Sequence, residues 1–493
     1  MPFSGRPSPS CLGCRERRIK QCDRVRPACS QCRRVGRSCT GYRDVDALIF
    51  RDENARTRRR ALKPLRDQDA SAGGGREVAL LRADSDMRLL SPVEDQALRF
   101  FFTHFASIRS EHVHSSLFFS GLADNPSLHD AVLSVGLAAM ANVTGEKAAM
   151  TLAQHKYASS VGVVRRAVQD PTKASPHQTI QIILMLSLFE MVSCPEHAID
   201  AWAVHLDGVA ALFAQTGFGW SFRQTEYKIQ LQFCYLLILK YFLVGGPLPV
   251  QLLIWGPRVI SLASAQELPA ARLLDIFLRF ARLYSLLGDT AVEKRAVVDR
   301  AIALDAELEV WESSLPPEWS FTLQQSMDRA HTYEGTYHLY HDMWAARILN
   351  HYRWGRLLVN EIILAYTTVT IASSATRHRA LETIRRMAVD LCAGAATQMK
   401  HVDVDCSIRP PAIGMREPPL SGVFMLIFQL AVAGRASGVP QTLRAWVRAL
   451  LDRLGYSLGI RRALEVFPAG SSSILRPLQR PGQETTEWRW NGK

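Results

Sequence analysis

Residues 11–39 read CLGCRERRIKQCDRVRPACSQCRRVGRSC and contain six of the ten cysteines in the chain. Two Cys-x-x-Cys pairs, Cys11 with Cys14 and Cys29 with Cys32, are each followed by one more cysteine. Thiolates bind zinc in tetrahedral sites, and a Cys-x-x-Cys turn brings two sulfurs to one ion. Six sulfurs complete two tetrahedra only if two sulfurs bridge, and the half-repeat predicts that Cys11 and Cys29 are the bridges.

This arrangement assigns the remaining cysteines in pairs. One zinc ion would also bind Cys14 and Cys22, and the other would also bind Cys32 and Cys39. A disulfide framework is the weaker alternative, because residues 1–10 have no apolar core that would serve as a signal peptide into an oxidising compartment. A mononuclear zinc finger would leave cysteines unused. The spacing therefore predicts two zinc ions per chain.

The stretch resembles the fungal binuclear zinc cluster, a six-cysteine DNA-binding domain. The resemblance implies a small fold with two short helices over residues 11–42, the same bridging scheme, two zinc ions, and double-stranded DNA as the partner. The family usually has six residues between the second and third cysteines, whereas this chain has seven, with Gln21 before Cys22. One extra helical residue rotates the chain beyond it by about 100°. We therefore expect the chain to bulge before Cys22.

Basic side chains surround the six cysteines and predict a DNA-contacting surface. They are Arg15, Arg17, Arg18 and Lys20 in the first half, and Arg33, Arg34 and Arg37 in the second half. By the resemblance, Arg17 and Arg18 read a CGG-type triplet in the major groove, with Lys20 beside them. The second set is expected to contact phosphates and so set the register. A structural alternative is that some of these arginines neutralise the cluster, because six thiolates and two zinc ions sum to a charge of minus two.

The charge of the chain is concentrated at its N-terminal end. The net charge is +13, and residues 1–66 hold 18 Lys and Arg against 6 Asp and Glu, so the rest of the chain is nearly neutral. This distribution is typical of a nucleic-acid-binding module on a neutral body. No apolar run approaches the ~18 residues that a membrane span needs, so we expect no membrane partner.

Residues 43–90 are predicted to form a basic, flexible linker. Pro64 and Gly73-Gly74-Gly75 argue against a long coiled coil here. A dense basic cluster in the linker predicts nuclear import, with phosphate contact or a solvated helix face as alternatives. This cluster consists of Arg56, Arg58, Arg59, Arg60 and Lys63. Residues 1–10 and 469–493 have polar compositions that predict disorder.

Residues 91–468 are predicted to form a large all-α domain, and by the resemblance of the zinc module this domain is expected to be regulatory. Ser91-Pro92-Val93-Glu94 is a capping box that opens an apolar helix, and Ser127 with Asp130 repeats the capping pattern. No stretch shows sustained period-two alternation, which favours helices packed on helices. The segments with helical period are 146–169, 177–192, 197–215, 223–244, 266–288, 291–314, 335–371, 378–399, 419–435 and 441–463.

This second region also resembles the fungal-specific transcription factor domain, which accompanies the zinc cluster in that family. The similar stretches are 166–180, 201–212, 304–319, 343–361 and 443–466. The resemblance implies a regulatory body that contacts the transcription machinery, forms a homodimer or senses a metabolite.

Motifs typical of enzymes are absent from the sequence. Trp202, His205 and Asp207 lie together on one helical segment, but Trp202 and His205 are three residues apart on an otherwise apolar face, where core packing is the simpler interpretation. The same applies to residues 350–353. There is no Gly-rich phosphate loop, nucleophile elbow or His-x-x-x-His metal motif. We therefore predict that the protein is not an enzyme.

These features predict a nuclear, zinc-dependent regulator of RNA polymerase II genes that reads CGG-type half-sites. The alternative is a zinc-dependent interaction or ligand-sensing helical protein with weak or no specific DNA binding. Residues 11–39 contain no Phe, Tyr or Trp. This composition argues against a module that stacks single-stranded RNA bases on aromatic rings.

Overall fold

The computed structural model describes residues 10–17, 22–39, 91–106, 122, 125–170, 176–193, 198–215, 224–245, 247–287, 289, 291–367, 374–399 and 422–467. The chain divides into two compact units, Met1–Met87 and Arg88–Lys493. The first unit holds the cysteine-rich module and the second holds a largely helical body. The predicted fold class, a small zinc module followed by a large helical domain, is confirmed.

The N-terminal unit contains two short helices that stand in the same relation to a Cys-x-x-Cys pair. Helix α1 spans Leu12–Glu16 and helix α2 spans Ser30–Arg33. Each helix begins directly after the first cysteine of a pair and contains the second. The sulfur of Cys29 caps α2 by accepting a hydrogen bond from the backbone N–H of Cys32. The two halves of the module are therefore built alike, as the half-repeat in the sequence predicts.

The C-terminal unit consists mainly of helices, with an antiparallel hairpin inserted among them. Its helices are α3 (Pro92–His104), α4 (Pro126–Thr144), α5 (Lys147–Gln169), α6 (Pro176–Ser193), α7 (Ala198–Gln215), α8 (Gln224–Val244), α9 (Val250–Ser261), α10 (Leu268–Ser285), α11 (Lys294–Ser313), α12 (Met343–Tyr366), α13 (Ser374–Ala393), α14 (Ala395–Gln398), α15 (Val423–Arg435), α16 (Gln441–Ser457) and α17 (Arg462–Glu465). Its strands are β1 (Phe321–Gln325) and β2 (Thr336–Tyr340). Within the described ranges, none of the helices combines the length and the apolar character that crossing a membrane requires.

Side-chain caps fix the first two helices of this body. The hydroxyl of Ser91 accepts from the backbone N–H of Glu94, and the Glu94 carboxylate accepts from the backbone N–H of Ser91, so the predicted capping box is confirmed. The predicted cap at Ser127 is wrong. The side chain of Asn125 caps α4 instead, and Pro126 occupies the first helical position. Asn and Ser are equally good caps, and a proline suits the first turn, so the start moves two residues upstream.

Helix α12 lies at the centre of the body. All of its residues from Met343 to Ile363 are buried, and it contacts α10, α11, α13 and α15. A helix buried on every side is expected to be apolar throughout. This one carries Arg353, Arg356 and Asn360, whose polar atoms are hydrogen-bonded inside the body. The centre of the domain is therefore a polar network within an apolar shell.

The hairpin corrects part of the predicted helix over residues 335–371. Residues 336–340 form strand β2, which pairs with β1 in the register Phe321 to Tyr340 and Gln325 to Thr336. The helix begins only at Met343, because the side chain of Asp342 accepts from the backbone N–H of Ala345. The sequence pattern did not show this strand, because five residues are too few to interrupt the helical period of the residues around them.

Helix α9 has no counterpart among the helices predicted from sequence. Pro257 lies inside it, and an internal proline removes one backbone hydrogen bond and disfavours a helix. Burial of Leu252, Trp255 and Val259 outweighs this cost. At Gly256 an added Cβ would lie 2.5 Å from Cδ1 of Leu278. The glycine therefore permits close packing of α9 on α10.

Candidate metal centre and nucleic-acid interface

The cysteine sulfurs of the N-terminal unit converge at its centre. Cys11, Cys14 and Cys29 are 0% exposed and Cys32 is 1% exposed, whereas the other two, Cys22 and Cys39, are partly buried. The sulfurs of Cys11, Cys14, Cys22 and Cys29 all lie within 4.8 Å of one another, and so do those of Cys11, Cys29, Cys32 and Cys39. The two groups of four share Cys11 and Cys29. Either group could hold one metal ion.

The spacing of the sulfurs fits zinc. A tetrahedron with metal–sulfur bonds of about 2.3 Å has sulfur–sulfur edges of about 3.8 Å. The Cys11 sulfur lies 3.7 Å from that of Cys29 and 3.7 Å from that of Cys32. The sulfurs of Cys14 and Cys29 are also 3.7 Å apart. Cys11 and Cys29 form the edge that is common to both groups.

The cysteine thiols of the centre differ in how readily they lose a proton. Burial raises the pKa of the Cys29 thiol to about 12 and raises the pKa of Cys11 as well. Burial also acts on Cys22, but hydrogen bonds from the backbone of Cys11 and Arg24 outweigh it and lower the pKa of that thiol. Only thiolates bind zinc, so binding here must displace protons from the two shared sulfurs.

The extra residue Gln21 does not remove Cys22 from the centre. The Cys22 sulfur lies within 4.8 Å of the sulfurs of Cys11, Cys14 and Cys29. Residues 18–21, on which the expected bulge falls, lie outside the described residues.

The carboxylate of Asp23, the next residue after Cys22, accepts the backbone N–H of Ser30 at 3.1 and 3.2 Å. Hydrogen bonding with the side chain of Ser30, together with this backbone bond, lowers the pKa of Asp23. The contact ties the interhelical loop to the start of α2. The role of Asp23 is not apparent from the sequence, because its partner lies seven residues away across a loop.

Arg17 turns back onto the metal centre. Its Nε donates to the carbonyl oxygen of Gly13 at 3.1 Å, and its Nη2 donates to the carbonyl oxygen of Gln31 at 3.4 Å. The same Nη2 lies 3.8 Å from the sulfur of Cys32. Gly13 belongs to the first half of the module, whereas Gln31 and Cys32 belong to the second. The side chain of Arg17 therefore joins the two halves of the module beside the Cys32 sulfur.

The remaining predicted DNA contacts divide between exposed and undescribed residues. Arg33, Arg34 and Arg37 are exposed and lie on or just after α2. The side chain of Arg15 and all of Arg18 and Lys20 lie outside the described residues. So do the linker 43–90, with its predicted import cluster (Arg56, Arg58, Arg59, Arg60 and Lys63), and the terminal segments 1–9 and 468–493.

The residues that suggested catalysis are engaged with neighbouring side chains of the helical body. Trp202 is 3% exposed, and its ring centroid lies 5.9 Å from that of Phe428. His205 Nε2 lies 3.2 Å from the hydroxyl of Tyr157, and Asp207 forms an ion pair with Lys240. His351 stacks on a tyrosine ring with centroids 4.6 Å apart. Trp202 and His351 are thus core residues, whereas Asp207, whose side chain is 62% exposed, forms its ion pair at the surface.

Both regions match known protein families. Residues 9–46 match the fungal Zn(2)-Cys(6) binuclear cluster domain, and residues 88–387 match the fungal specific transcription factor domain. The second match alone spans more than half of the chain, so the chain belongs to the fungal specific transcription factor domain family. Its N-terminal module is a binuclear cluster domain, whose cofactor is two zinc ions.

A curated relative is similar to this chain over a short stretch. White-opaque regulator 2 of Candida albicans (strain SC5314 / ATCC MYA-2876) is 49% identical over 47 residues, which is 10% of this chain and 10% of that protein. The match thus covers about a tenth of that relative. No solved structure matches this chain.

Proposed function

We propose that this protein is a nuclear, zinc-dependent, sequence-specific regulator of RNA polymerase II genes that binds CGG-type half-sites in double-stranded DNA. The observation that carries the proposal is the pair of four-sulfur groups that share Cys11 and Cys29. The family membership of both regions supports it.

In the proposed site, Cys11 and Cys29 would be shared by the two zinc ions. Cys14 and Cys22 would complete one ligand set, and Cys32 and Cys39 would complete the other. The zinc ions would supply the folding free energy of a module too small to have an apolar core. The cysteines come from both halves, so the same bonds fix α1 against α2 and present the basic residues around them.

The proposed DNA surface has a reading part and a positioning part. Arg18 is the proposed base reader, with Arg15 and Lys20 beside it, because Arg17 is engaged with Gly13 and Cys32. Arginine donates two parallel hydrogen bonds to guanine O6 and N7 in the major groove. The exposed Arg33, Arg34 and Arg37 are proposed to contact phosphates.

The helical body and the linker have proposed roles outside DNA contact. The body is proposed to form a homodimer or to contact the transcription machinery, as befits the transcription factor domain that matches residues 88–387. The basic cluster from Arg56 to Lys63 is the proposed import signal.

The proposal is tested by zinc analysis and DNA titration of the purified full-length chain. We expect two zinc ions per chain, and tighter binding to a CGG duplex than to a scrambled duplex of equal composition. Affinity should fall as salt rises, because phosphate contacts release counterions. Fewer than two zinc ions, or equal affinity for both duplexes at every salt concentration, would reject the proposal in favour of the ligand-sensing alternative.

Arg18→Ala and Arg34→Ala are expected to weaken DNA binding in different ways. A bidentate contact to guanine discriminates by about 1–3 kcal/mol, so Arg18→Ala should lose roughly tenfold to hundredfold on CGG duplexes and little on scrambled ones. Arg34→Ala should weaken both duplexes alike and make the salt dependence shallower by about one counterion. Fluorescence anisotropy over a salt series measures both effects. Equal losses on both duplexes for both variants would contradict this division of roles.

Arg17→Ala is expected to loosen zinc rather than to relax base preference. Loss of a residue that supports metal ligands typically costs about 10–100-fold in metal affinity. We therefore expect zinc transfer to a chromogenic chelator to accelerate by about tenfold. Arg17→Lys should be intermediate, because lysine keeps the charge but lacks the planar fork that reaches several acceptors.

Arg34→Ala serves as the matched control for zinc release, since Arg34 is exposed and its removal leaves the contacts of Arg17 in place. Zinc release at the wild-type rate from Arg17→Ala, together with a loss of CGG preference, would show that Arg17 is a base reader after all.

A further inference from the structure

A groove with basic and apolar walls runs along the outside of the helical body, between α10 and α11. Two adjoining cavities of about 260 and 520 Å³ lie in it, and Arg279 and Glu307 line both. The smaller cavity is lined by Leu286, directly after α10, and by Arg300 of α11. The larger cavity is lined by Arg272 of α10 and by Ser314, directly after α11. The two helices therefore run in opposite directions along one continuous groove.

The length of the groove follows from the spacing of its lining residues. Along α10 and its C-cap they recur every three or four residues from Arg272 to Leu286, and along α11 and its C-cap they do so from Arg300 to Ser314. This spacing keeps them on one face of each helix. Fourteen residues at 1.5 Å each give a groove about 21 Å long. Its dimensions suit a third helix of about four turns.

The two ends of the groove differ in character. At the end of the smaller cavity, Arg282 and Arg300 are exposed, and neither takes part in an ion pair among the described residues. In the middle, Arg279 pairs with Glu307 and, at 3.1 Å, with Asp275. Arg279 thus pairs with both acidic side chains that line the groove. The positive charges of Arg282 and Arg300 are therefore available to a ligand.

The other end offers apolar surface and one further exposed arginine, Arg272. Val310 is 65% exposed there, beside Ile260 and Ile276. Trp311 lines the bottom of this end of the groove. Its Nε1 donates to the carbonyl oxygen of Pro269 at 2.8 Å, which fixes the ring in place. A groove that carries an exposed aliphatic side chain and unpaired arginines is typical of a surface that another protein covers.

We propose that this groove binds an acidic amphipathic helix of a partner protein. Its carboxylates contact Arg282 and Arg300, and its aliphatic side chains, about three turns further along, pack on Val310 and Ile260. Nucleic acid fits less well, because Asp275 and Glu307 would face its phosphates. A second copy of the same surface would bring only further arginines to the basic end. The proposal rests on the groove alone and does not depend on DNA reading.

The test is titration of the full-length zinc-loaded chain with a fluorescent helical peptide. The peptide has 16 residues of alanine, leucine and glutamate, with the leucines and glutamates on one face, and its partner peptide has lysine in place of each glutamate. We expect the glutamate peptide to bind better than the lysine peptide. Arg282→Glu/Arg300→Glu should weaken glutamate-peptide binding by about tenfold or more, since it opposes like charges. The same variant should bind the lysine peptide better than the wild type does.

The matched control is Lys294→Glu/Arg295→Glu, which makes the same change of charge on α11 outside the groove and should leave peptide binding unchanged. Val310→Glu keeps every arginine of the groove and should also weaken binding of the glutamate peptide. Equal binding of both peptides to the wild type, or equal effects of the groove and control variants, would overturn the proposal. So would a homodimer that dissociates when the groove arginines are reversed, because the occupant would then be a second copy.

Discussion

Cys29→Ala is expected to remove zinc from both metal positions and to abolish specific DNA binding. The Cys29 sulfur belongs to both four-sulfur groups and lies 3.7 Å from the sulfurs of Cys11 and Cys14. Its loss therefore opens both tetrahedra at once. Zinc contributes about 10–16 kcal/mol of apparent binding free energy to small zinc modules, and that free energy is what folds them. We expect the zinc content of the purified chain to fall from two ions to less than one.

Two further cysteine variants give this experiment its controls. Cys14→Ala removes a sulfur that belongs to only one group, so it should lose less zinc than Cys29→Ala. Cys234→Ala changes a buried thiol of α8, outside both groups, and should keep both ions and full DNA binding. Zinc is measured by elemental analysis, and DNA binding by anisotropy on CGG and scrambled duplexes. Retention of two zinc ions by Cys29→Ala would disprove the shared-ligand assignment.

The zinc centre is predictable from sequence because the number and spacing of the cysteines limit the possible ligand sets. Six thiols, two Cys-x-x-Cys turns and a half-repeat leave few ways to make two four-coordinate sites. The direction of Arg17 is not predictable in that way. Whether its guanidinium points toward DNA or toward Gly13 and Cys32 depends on backbone carbonyls that no spacing rule positions.

The helical body is predictable where side-chain caps and apolar period agree, as at Ser91 and α3. Prediction fails where tertiary packing overrides a local signal. Pro257 argues against α9, yet burial of Trp255 and Leu252 holds that helix together. Strand β2 exists because β1 is there to pair with it, and a strand partner does not appear in the local pattern of either segment.

The polar centre of α12 is a further property that the sequence does not reveal. Arg356 has a side chain that is 1% exposed. Its Nε donates to Asp305 Oδ1 at 2.8 Å, and its Nη1 donates to the hydroxyl of Tyr352 at 2.8 Å. Asn360 donates to the same Asp305 oxygen at 2.7 Å. Asp305 lies 51 residues away on α11, so only the fold brings these charges together.

Arg356→Met is therefore expected to destabilise the helical body by about 3–5 kcal/mol, the usual cost of breaking a buried ion pair by removing one partner. Methionine fills much of the volume, so the loss comes mainly from the carboxylate of Asp305, which stays buried with Asn360 as its remaining side-chain donor. Urea unfolding followed by far-ultraviolet circular dichroism measures the change. Zinc content should stay at two ions per chain, since the substitution lies outside the N-terminal unit.

Two comparisons decide whether charge or packing is responsible. Arg356→Met/Asp305→Asn removes both charges and keeps an oxygen that accepts from Asn360, so it should be more stable than Arg356→Met alone even though it carries one more substitution. Arg295→Met breaks an exposed pair with Asp299 at 3.9 Å and should cost less than about 1 kcal/mol. If the double variant is less stable than Arg356→Met, the unpaired charge of Asp305 does not account for the lost stability. The cost of Arg356→Met then lies in lost packing and hydrogen bonds.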